Sequence, residues 1–486
     1  IFPAKKNRHI RLILPMANIR HLIEENIIGS SILQLAGELG AKYKQGVYVV
    51  GGYVRDLFLE RNIKEIDFMV VGDGIKFARL LADELKVDRI VPFQRFSTAR
   101  IPYKKIPLEV ASARTESYDI SSRNPNKIQY TDLKGDLLRR DFTINAMAID
   151  LHPKRFGNLS DPFKGILDLQ AKQLVTPLDP NKTFSDDPLR MMRAAYFCSK
   201  LDMRVDSKIR ESMNHQAARI KIVSWERITA EFLKILSCSK PSIGLKLLQH
   251  TGLMKHVFPE IDAMWGLEQT SEWHHKDIFA HTLQVVDNAA ELTDEMRVRF
   301  AALVHDIAKP KTRRIHKKKG YTFYGHDFFG SKIVQKVAKR MKLPNELNTY
   351  LQKMTALHLR PIAIAKEKVT DSAVRRLMVA AGEDIHELMV LCRADITTKN
   401  PRLVKKYMGN FERVEERMQN VKELDEMAAF QSPVRGKEIM VMFGIKPGKK
   451  VGEIKSAIEE AILSGDIGNN YDDAKEFLVK NKNLFF

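Results

Sequence analysis

The sequence predicts an α+β protein, with a short mixed sheet near its N-terminal end and helical domains behind it. Short β-branched runs alternate with helical stretches between residues 47 and 150. Strand-like runs fade after about residue 184, and helical periodicity dominates from there to the end. At 486 residues, the chain is long enough for about two to four domains.

The predicted sheet begins with the strand VYVV, and Gly51-Gly52 follow it and open a predicted helix, YVRDLFLER. Glycines at such a turn let backbone N–H groups approach a phosphate, and a helix N-terminus adds a favourable dipole. The next predicted elements are the strand EIDFMVV, the helix GIKFARLLADEL and the strands RFSTARI and IPLEVA. Residues 117–137 are polar and are predicted to form a mobile loop.

Glu65 and Asp67 are two residues apart, so a strand would direct both carboxylates to the same face. Two such groups repel each other unless a cation lies between them, and Mg²⁺ prefers oxygen ligands. Glu109, on a candidate neighbouring strand, is a candidate third catalytic carboxylate, although an ordinary acid at a strand edge fits equally well. A phosphate-binding turn beside paired carboxylates favours nucleotidyl transfer with two metal ions. The alternative is a tight turn next to surface acids.

Four more motifs follow in order: RRDFTINAMAID (139–150), DPFKGILDL (161–169), DDPLRMMRA (186–194) and SWERITAEFLKIL (224–236). Together with the glycine turn, they resemble the class II tRNA nucleotidyltransferase and poly(A) polymerase family, a branch of the polymerase-β-like nucleotidyltransferases. The resemblance covers residues 45 to 240 and implies a polymerase-β-like head that binds Mg²⁺ at Glu65 and Asp67. The family usually has Asp-x-Asp where this chain has Glu65-Ile66-Asp67, which predicts tuned or weakened catalysis.

The resemblance also implies a nucleotide-binding set. Its members are Gly51, Gly52 and Arg55 for phosphates, Arg140, Asp141 and Asn145 for ribose and phosphate, Asp187 and Arg190 for the base of CTP or ATP, and Arg193 as a phosphate or structural residue. DDPLRMMRAAYFCSKL is predicted to be helical, which would place Asp187 and Arg190 on one helix face. An ordinary surface ion pair is the alternative. Asp186 stands where the family usually has Glu.

Most of the histidines lie between residues 266 and 400, in WHHKDIFAHTLQVV, ALVHDIAKPKT and YGHDFFG and at His358, and RADI follows them. An adjacent His305-Asp306 pair on an apolar helix indicates that both residues bind something. The zone resembles the HD metal-dependent phosphohydrolase domain. This implies the ligands His281, His305, Asp306 and Asp395, with His326 and His358 as the extra histidines of two-metal versions. Imidazole with carboxylate suits Mn²⁺, Ni²⁺ or Fe, and Mg²⁺ less well.

The chain carries 80 Lys plus Arg against 60 Asp plus Glu, a net charge of +20, which favours a nucleic-acid partner. A basic run before several aromatic residues could contact RNA, or could equally be a solvated loop or hairpin. It contains Arg313, Arg314, Lys317, Lys318 and Lys319. The segment RGKEIMVMFGIKPGKKVGEIKSAIEEAILSGDI resembles the tRNA-binding body and tail of bacterial family members, so Lys449 and Lys450 are predicted phosphate contacts.

We therefore expect an N-terminal extension (1–25), a nucleotidyltransferase head (26–177), a helical neck (178–265), an HD domain (266–400) and a helical tail (401–486). The predicted activity is addition of CCA to tRNA from CTP and ATP, with hydrolysis at the HD domain left open. The alternatives are addition of poly(A), A only or CC only, an HD hydrolase acting on nucleotides or cyclic phosphates, and a non-catalytic RNA-binding protein. Three scattered cysteines and no long apolar run predict a cytoplasmic protein without a membrane anchor.

Overall fold

The structure is a computed structural model that describes most of the chain. The described residues are 18–25, 27–63, 65–104, 106–118, 125–268, 277–317, 320–366, 370–398, 400–429, 432–463 and 466–485. They form two compact units: Ile1–Leu359 with Asp384–Val404, and Arg360–Glu383 with Lys405–Phe486. No helix in the described ranges is both long and apolar enough to cross a bilayer.

The predicted mixed sheet is present in the head. The head strands are β1 (Gly46–Val50), β2 (Ile66–Val71), β3 (Val91–Phe93), β4 (Thr98–Ile101), β5 (Leu108–Ser112), β6 (Arg114–Tyr118), β7 (Pro125–Tyr130), β8 (Ala148–Asp150) and β9 (Leu159–Ser160). Seven of the strands described here pair in the order β3-β4-β5-β2-β1-β8-β9. Strand β2 runs antiparallel to β1 and parallel to β5, so the sheet is mixed at the strand that carries Asp67.

The head helices are α1 (Arg20–Glu25), α2 (Ile27–Lys42), α3 (Gly52–Phe58), α4 (Gly74–Glu84), α5 (Leu133–Leu138) and α6 (Gly165–Gln170). The strand and helix predictions for VYVV, EIDFMVV and GIKFARLLADEL are confirmed to within a few residues. Helix α4 begins where the Asp73 side chain accepts a hydrogen bond from Lys76 N, and its buried face includes Phe77 and Leu81. Residues 18–25 also pack on the head, because Ile19, at 0% exposure, lies in its core.

The prediction of a loop over residues 117–137 was wrong at the described positions. Strands β6 and β7 pair as a hairpin, and α5 follows with the Asp132 side chain capping its first turn. The polar composition concealed this structure, because the two strands pair through their backbone groups, and charged side chains of β6 form ion pairs. Arg114 Nε lies 2.7 Å from Glu116 Oε1 on β6 itself, and Arg139 Nη1 lies 3.4 Å from the same oxygen.

The neck is mainly helical. Its elements are β10 (Gln173–Leu174), α7 (Pro180–Asp186), α8 (Leu189–Leu201), β11 (Arg204–Val205), α9 (Ser207–Gln216), α10 (Trp225–Leu236), α11 (Pro241–His250), α12 (Met254–Val257) and α13 (Pro259–Asp262). The prediction of helix throughout residues 186–201 was wrong, because α7 ends at Asp186 and α8 starts at Leu189. Asp187 is extended, at φ −140° and ψ 103°, since the following Pro188 disfavours the helical conformation of the residue before it.

The histidine-rich region is built on helices α14 (Ile278–Leu292), α15 (Met296–Val304), α16 (Lys309–Thr312), α17 (His326–Arg340) and α18 (Asn345–Leu357), and on α21 (Ile385–Ala394), which follows α19 (Leu359–Lys366) and α20 (Asp371–Ala381) in the chain. Its described part is not all-helical, since β12 (Arg314–His316) and β13 (Gly320–Thr322) form a hairpin. A buried aromatic cluster joins this region to the neck. The Phe232 ring lies 5.6 Å from that of Phe258 and 6.2 Å from that of Phe300.

The second compact unit contains α20 and the C-terminal helices. These helices are α22 (Pro401–Ala429), α23 (Gly436–Phe443), α24 (Lys449–Leu463), α25 (Tyr471–Lys480) and α26 (Lys482–Phe485). Helices α23, α24 and α25 share a core that includes Ile439, Ile454 and Leu478. All three cysteines, Cys198, Cys238 and Cys392, are buried and free.

Candidate functional site

Three carboxylates meet on the head sheet. Asp67 on β2 lies directly opposite Glu109 in the parallel register with β5, and Glu65 lies two residues before Asp67, just outside the strand. Glu65 and Glu109 are exposed, and Asp67 is partly buried between them. Burial raises the pKa of Asp67 to about 7, with further contributions from Glu65 and Glu109, against the opposing effect of Arg140 and Arg55. Carboxylates arranged in this way have the donor atoms that a divalent cation requires.

The glycine turn lies directly above this cluster. Gly51 follows β1 with φ 71°, a left-handed conformation that favours glycine. A Cβ atom at Gly51 would lie 3.1 Å from Nη1 of Arg140 and 3.5 Å from Oδ2 of Asp67. The absent side chain therefore leaves space beside a carboxylate and a guanidinium. Gly52 is the first residue of α3.

Arg140 is held in place by a residue that the sequence analysis missed. Asp136 is fully buried, and its Oδ2 accepts hydrogen bonds from Nη2 and Nε of Arg140 at 2.9 Å and 3.2 Å. Its Oδ1 accepts from Arg139 at 2.7 Å. Burial opposes ionisation, but the two guanidinium groups lower the pKa of Asp136. The four-residue spacing of Asp136 and Arg140 was the available signal, since such pairs are neighbours at a helix end.

The other motif residues form a buried chain of hydrogen bonds between head and neck. Arg55 Nη1 donates to Oδ1 of Asn145 at 2.6 Å, and Nδ2 of Asn145 donates to Oδ1 of Asp141 at 3.1 Å. Asp141 Oδ2 in turn accepts from Nε of Arg193 on α8 at 2.7 Å. Arg55 is 4% exposed and also pairs with Asp56 at 2.9 Å. Its guanidinium is thus engaged inside the protein, and a phosphate-binding role for it stays a prediction.

The two predicted base-reading residues lie at the start of α8. The Asp187 side chain accepts from Leu189 N at 3.1 Å, and its backbone carbonyl accepts from Arg190 N at 3.0 Å. The prediction that the two residues share a helix face was wrong, because Asp187 precedes the helix. Arg190 is 8% exposed, and its Nη2 donates to the carbonyl of Arg139 at 2.7 Å. This bond ties the neck helix to the segment that carries Arg140.

The six predicted ligands of the histidine-rich region come together in one buried cluster. Backbone carbonyls accept hydrogen bonds from the Nδ1 atoms of three rings: His305 to Ala302 at 2.8 Å, His326 to Phe323 at 2.7 Å, and His358 to Thr355 at 2.7 Å. Because a carbonyl can only accept, each Nδ1 carries a proton, and the Nε2 atom of each ring faces the interior of the cluster. Nδ1 of His281 contacts the Thr397 hydroxyl at 3.2 Å.

Asp306 lies between two groups of these nitrogens. Its Oδ2 is 3.1 Å from Nε2 of His305 and 3.6 Å from Nε2 of His281. Its Oδ1 is 3.3 Å from Nε2 of His326 and 3.9 Å from Nε2 of His358. Asp395 completes the first group only. Its Oδ1 is 3.0 Å from the His281 nitrogen and 3.6 Å from the His305 nitrogen. Two metal-sized sets of donors therefore share one carboxylate.

The cluster fits bound cations. Nε2 of His305 and Oδ1 of Asp395 are buried and lack a hydrogen bond of good geometry, which leaves both atoms available to a cation. Although burial disfavours the charged ring, Asp306 raises the pKa of His305 to about 9. Burial and the nearby His305 ring lower the pKa of His358 to about 4. A metal ion bound to each set would coordinate the imidazole nitrogens and carboxylate oxygens, whose lone pairs protons satisfy only in part.

Lys309 is a further residue of this cluster that the sequence analysis missed. Its Nζ lies 2.5 Å from Oδ2 of Asp306 and 5.5 Å from the centroid of the Phe323 ring. Burial opposes ionisation, but His305 and Lys309 hold the pKa of Asp306 well below its usual range. The signal was the spacing of three residues between Asp306 and Lys309 in HDIAK. Residues so spaced are close to each other in a turn or a helix, and α16 begins at Lys309.

The structure describes five of the seven predicted RNA-binding residues. Arg313 lies just before β12 with its guanidinium 3.6 Å from the centroid of the Tyr321 ring, and Arg314 and Lys317 are exposed on the hairpin. Lys318 and Lys319 lie outside the described residues. Lys449 and Lys450 are exposed at the start of α24. An RNA-binding role for all seven stays a prediction.

Three segments of the chain match known families. Residues 47–175 match the poly A polymerase head domain, and residues 202–264 match the probable RNA and SrmB-binding site of polymerase A. Residues 278–400 match the HD domain. The carboxylate cluster and the glycine turn lie in the first match, and the histidine cluster lies in the third.

Curated relatives match across these segments. The multifunctional CCA protein of Shewanella frigidimarina is 35% identical over 311 residues, which cover 62% of this chain and 70% of that protein. The protein of the same name from Vibrio campbellii is 33% identical over 365 residues, covering 72% and 84%.

Solved structures share the fold. An apo CCA-adding enzyme is similar with a TM-score of 0.60 and 23% identity, over 96% of this chain and 99% of that one. The Thermotoga maritima CCA-adding enzyme complexed with tRNA is similar with a TM-score of 0.59 and 22% identity, over 95% and 98%.

Proposed function

This chain belongs to the family of the multifunctional CCA proteins, and on that basis we propose that it adds CCA to the 3′ end of tRNA from CTP and ATP, releasing pyrophosphate. Other curated relatives carry the same name, and similar solved structures include CCA-adding enzymes with tRNA, with CTP and with ATP. The protein is thus a nucleotidyltransferase. The three buried free cysteines and a tRNA substrate fit a cytoplasmic location.

The observation that carries this proposal is the carboxylate cluster beneath the glycine turn. Asp67, Glu65 and Glu109 are the residues that would hold Mg²⁺; burial, and after it the charges of Glu65 and Glu109, raise the pKa of Asp67, and a bound cation would offset both effects. Divalent ions held there would lower the pKa of the attacking 3′-hydroxyl and neutralise charge on the triphosphate. Gly51 has no side chain beside Asp67 and Arg140, so its backbone can approach a triphosphate, and Arg140, aligned by Asp136, is close enough to contact the same group.

The remaining motif residues orient the nucleotide. The terminal 3′-hydroxyl of the RNA attacks the α-phosphorus, its oxygen forms the new P–O bond, and the bond to pyrophosphate breaks. Asp187 and Arg190 select the base without a nucleic-acid template. Arg190 is suited to this role because burial and its bond to the Arg139 carbonyl restrict its conformations.

One assay tests this activity. Purified protein with Mg²⁺ is incubated with tRNA lacking part or all of CCA, and with each labelled nucleoside triphosphate separately and together. Asp67→Ala should abolish incorporation and leave tRNA affinity nearly unchanged, because the side chain contacts metal and not RNA. Asp88→Ala, which removes an exposed carboxylate elsewhere on the head, is the matched control. Full incorporation by Asp67→Ala would refute the assignment. Incorporation of A alone, of C alone or of long A tracts by the parent protein would identify one of the narrower activities.

We propose a second activity, hydrolysis of a phosphate ester, at the histidine cluster. Its basis is the sharing of Asp306 between two histidine pairs, which provides for two metal ions. Metal ions there supply an activated water for attack on phosphorus. The mixed imidazole and carboxylate donors favour Mn²⁺, Ni²⁺ or Fe over Mg²⁺. The substrate class is a 2′,3′-cyclic or 3′-phosphorylated end. Such an end has no free hydroxyl for nucleotide addition, so hydrolysis must precede it.

The two activities should be lost independently. Replacing His305 and Asp306 together with Ala removes ligands from both metal sets and leaves Glu65 and Asp67 untouched. Nucleotide addition with Mg²⁺ should persist, whereas hydrolysis with Mn²⁺ or Ni²⁺ should vanish. Metal analysis of the purified parent protein provides the independent readout. If no transition metal is bound and the double variant hydrolyses as well as the parent, the histidine cluster is structural.

A further inference from the structure

Three aromatic side chains are exposed beside the histidine cluster. Tyr324, Phe328 and Phe329 have 72%, 56% and 51% of their surface exposed, and they occur within six residues of the chain. We call these three residues the aromatic ridge. Single exposed apolar residues are ordinary, but a contiguous group of large ones marks a binding surface.

The aromatic ridge lies at the edge of the proposed metal centre. Its residues flank His326, the first residue of α17, whose ring points inward to Asp306 at 3.3 Å. Phe328 and Phe329 occupy the same first helical turn and contact each other edge to face, with ring centroids 5.5 Å apart. A ligand lying across these rings would therefore be one helical turn from a metal-binding imidazole.

One cation contacts the aromatic ridge, and two more lie in the hairpin segment that precedes it in the chain. Lys332 Nζ lies 4.2 Å from the centroid of the Phe328 ring. Arg314 is exposed on the adjacent hairpin, and Arg313 stacks on Tyr321. Asp327 adds one negative charge in the same helical turn. Exposed aromatic rings among several cations are the combination that binds single-stranded nucleic acid, since bases stack on rings and phosphates pair with Lys and Arg.

We propose that the aromatic ridge stacks the last bases of a single-stranded RNA 3′ end and thereby delivers its terminal phosphate to the histidine cluster. The proposal rests on the phosphohydrolase activity proposed above, and it specifies the substrate as a polynucleotide end and not a free mononucleotide. A mononucleotide would engage the metal centre alone, whereas an RNA end gains stacking energy from each base on the ridge.

The test compares two substrates in the full-length, metal-loaded protein. One is a cyclic mononucleotide, and the other is a five-nucleotide RNA that ends in a 2′,3′-cyclic phosphate. The variant Phe328→Ala/Phe329→Ala should raise KM for the RNA by about 10- to 100-fold. It should leave kcat for the RNA and both constants for the mononucleotide unchanged.

Phe328→Leu/Phe329→Leu keeps apolar surface but loses the aromatic faces, so it should behave like the alanine variant. Phe328→Trp should retain RNA binding, and Val379→Ala, at an 83% exposed position, is the control.

A second measurement does not depend on hydrolysis. A 3′-phosphorylated five-nucleotide RNA with a photoreactive terminal uridine should crosslink to residues 321–332, and the alanine variant should lose the crosslink. If the parent protein crosslinks there but hydrolyses neither substrate, the ridge binds RNA and the phosphohydrolase proposal fails. Unchanged RNA kinetics and crosslinking in the alanine variant would overturn the ridge proposal. An equal loss on both substrates would also overturn it, by showing a structural role. If the leucine variant behaves like the parent while the alanine variant does not, apolar contact and not base stacking carries RNA binding, and the stacking proposal is overturned.

Discussion

Asp306→Asn should remove both metal ions from the histidine cluster, whereas Asp395→Asn should remove one. The two Asp306 oxygens face different histidine pairs, with shortest distances of 3.1 Å to His305 and 3.3 Å to His326. Asn keeps the shape but has one neutral oxygen and one NH₂ group, which can no longer bind two cations. Asp395 contacts only the first pair, through His281 at 3.0 Å and His305 at 3.6 Å.

The size of the effect follows from the position of the carboxylate. Substitutions outside the ligand shell already lower metal affinity by about 10- to 100-fold. Loss of a shared ligand should therefore exceed 100-fold at both sites, or about 2.7 kcal/mol each. After dialysis, metal content should fall from about two ions per chain to below about 0.5 in Asp306→Asn, and to about one in Asp395→Asn.

The assay is metal analysis after equilibrium dialysis, with calorimetric titration of Mn²⁺ into the apo protein. Asp327→Asn is the matched control, since it removes the carboxylate next to His326 without changing a proposed ligand. Thermal unfolding of each apo variant must accompany the titration, because Lys309 loses its 2.5 Å partner in Asp306→Asn. Two ions retained by Asp306→Asn, or both lost from Asp395→Asn, would refute the shared-ligand arrangement.

Three further predictions concern the head and the core. Glu65→Asp should retain or raise nucleotide incorporation, because it restores the usual family spacing; a tenfold loss in a primer-extension assay would contradict this. Asp67→Asn should stabilise the Mg²⁺-free protein by roughly a few degrees at pH 8 and little at pH 4. The pKa of Asp67, raised to about 7, means that the parent protein loses stability as the pH rises from about 4 through 7. A difference in melting temperature between variant and parent that does not change with pH would contradict this assignment. Phe232→Ala should lower the free energy of unfolding by about 3–5 kcal/mol, since the ring is 0% exposed and packs on Phe258. Urea denaturation measures that loss, and Val441→Ala, at an 85% exposed position, should cost little.

The parts of the fold that were predictable depend on local patterns. Side chains two residues apart in a strand project from the same face, so the spacing of Glu65 and Asp67 indicated that both acids lie together, and the structure has Asp67 on β2 with Glu65 just before the strand. The histidine motifs were equally informative, because an ionisable pair such as His305-Asp306 needs a binding partner in an apolar setting, although the pair lies directly after helix α15 and not within a helix as predicted. The register that places Glu109 opposite Asp67 depends on pairing between distant strands, and sequence patterns only suggested it.

The parts that were missed depend on contacts over a distance or on one residue that overrides a pattern. Pro188 ends the helical conformation at Asp187, although the flanking residues have helical periodicity. The hairpin of β6 and β7 is formed by the mainly polar segments RTESY and PNKIQY, so it lacks the apolar alternation that predicts strands. Asp136 looks like a surface acid in sequence, and only the folded structure shows it buried beneath Arg140.

The two proposed centres differ in the properties that select metal ions. The head offers oxygen donors only, two of them on the exposed side chains Glu65 and Glu109, and such donors allow Mg²⁺ to keep several of its waters. The histidine cluster offers four imidazoles whose Nδ1 atoms are already held, so the rings cannot turn away, and His281, His305 and His358 are at most 3% exposed. Transition metals bind imidazole more strongly than Mg²⁺ does. One chain can therefore hold both kinds of centre in the same solution, because the oxygen donors of the head suit Mg²⁺ and the imidazoles suit Ni²⁺ or Fe, whereas Mn²⁺ fits both donor sets.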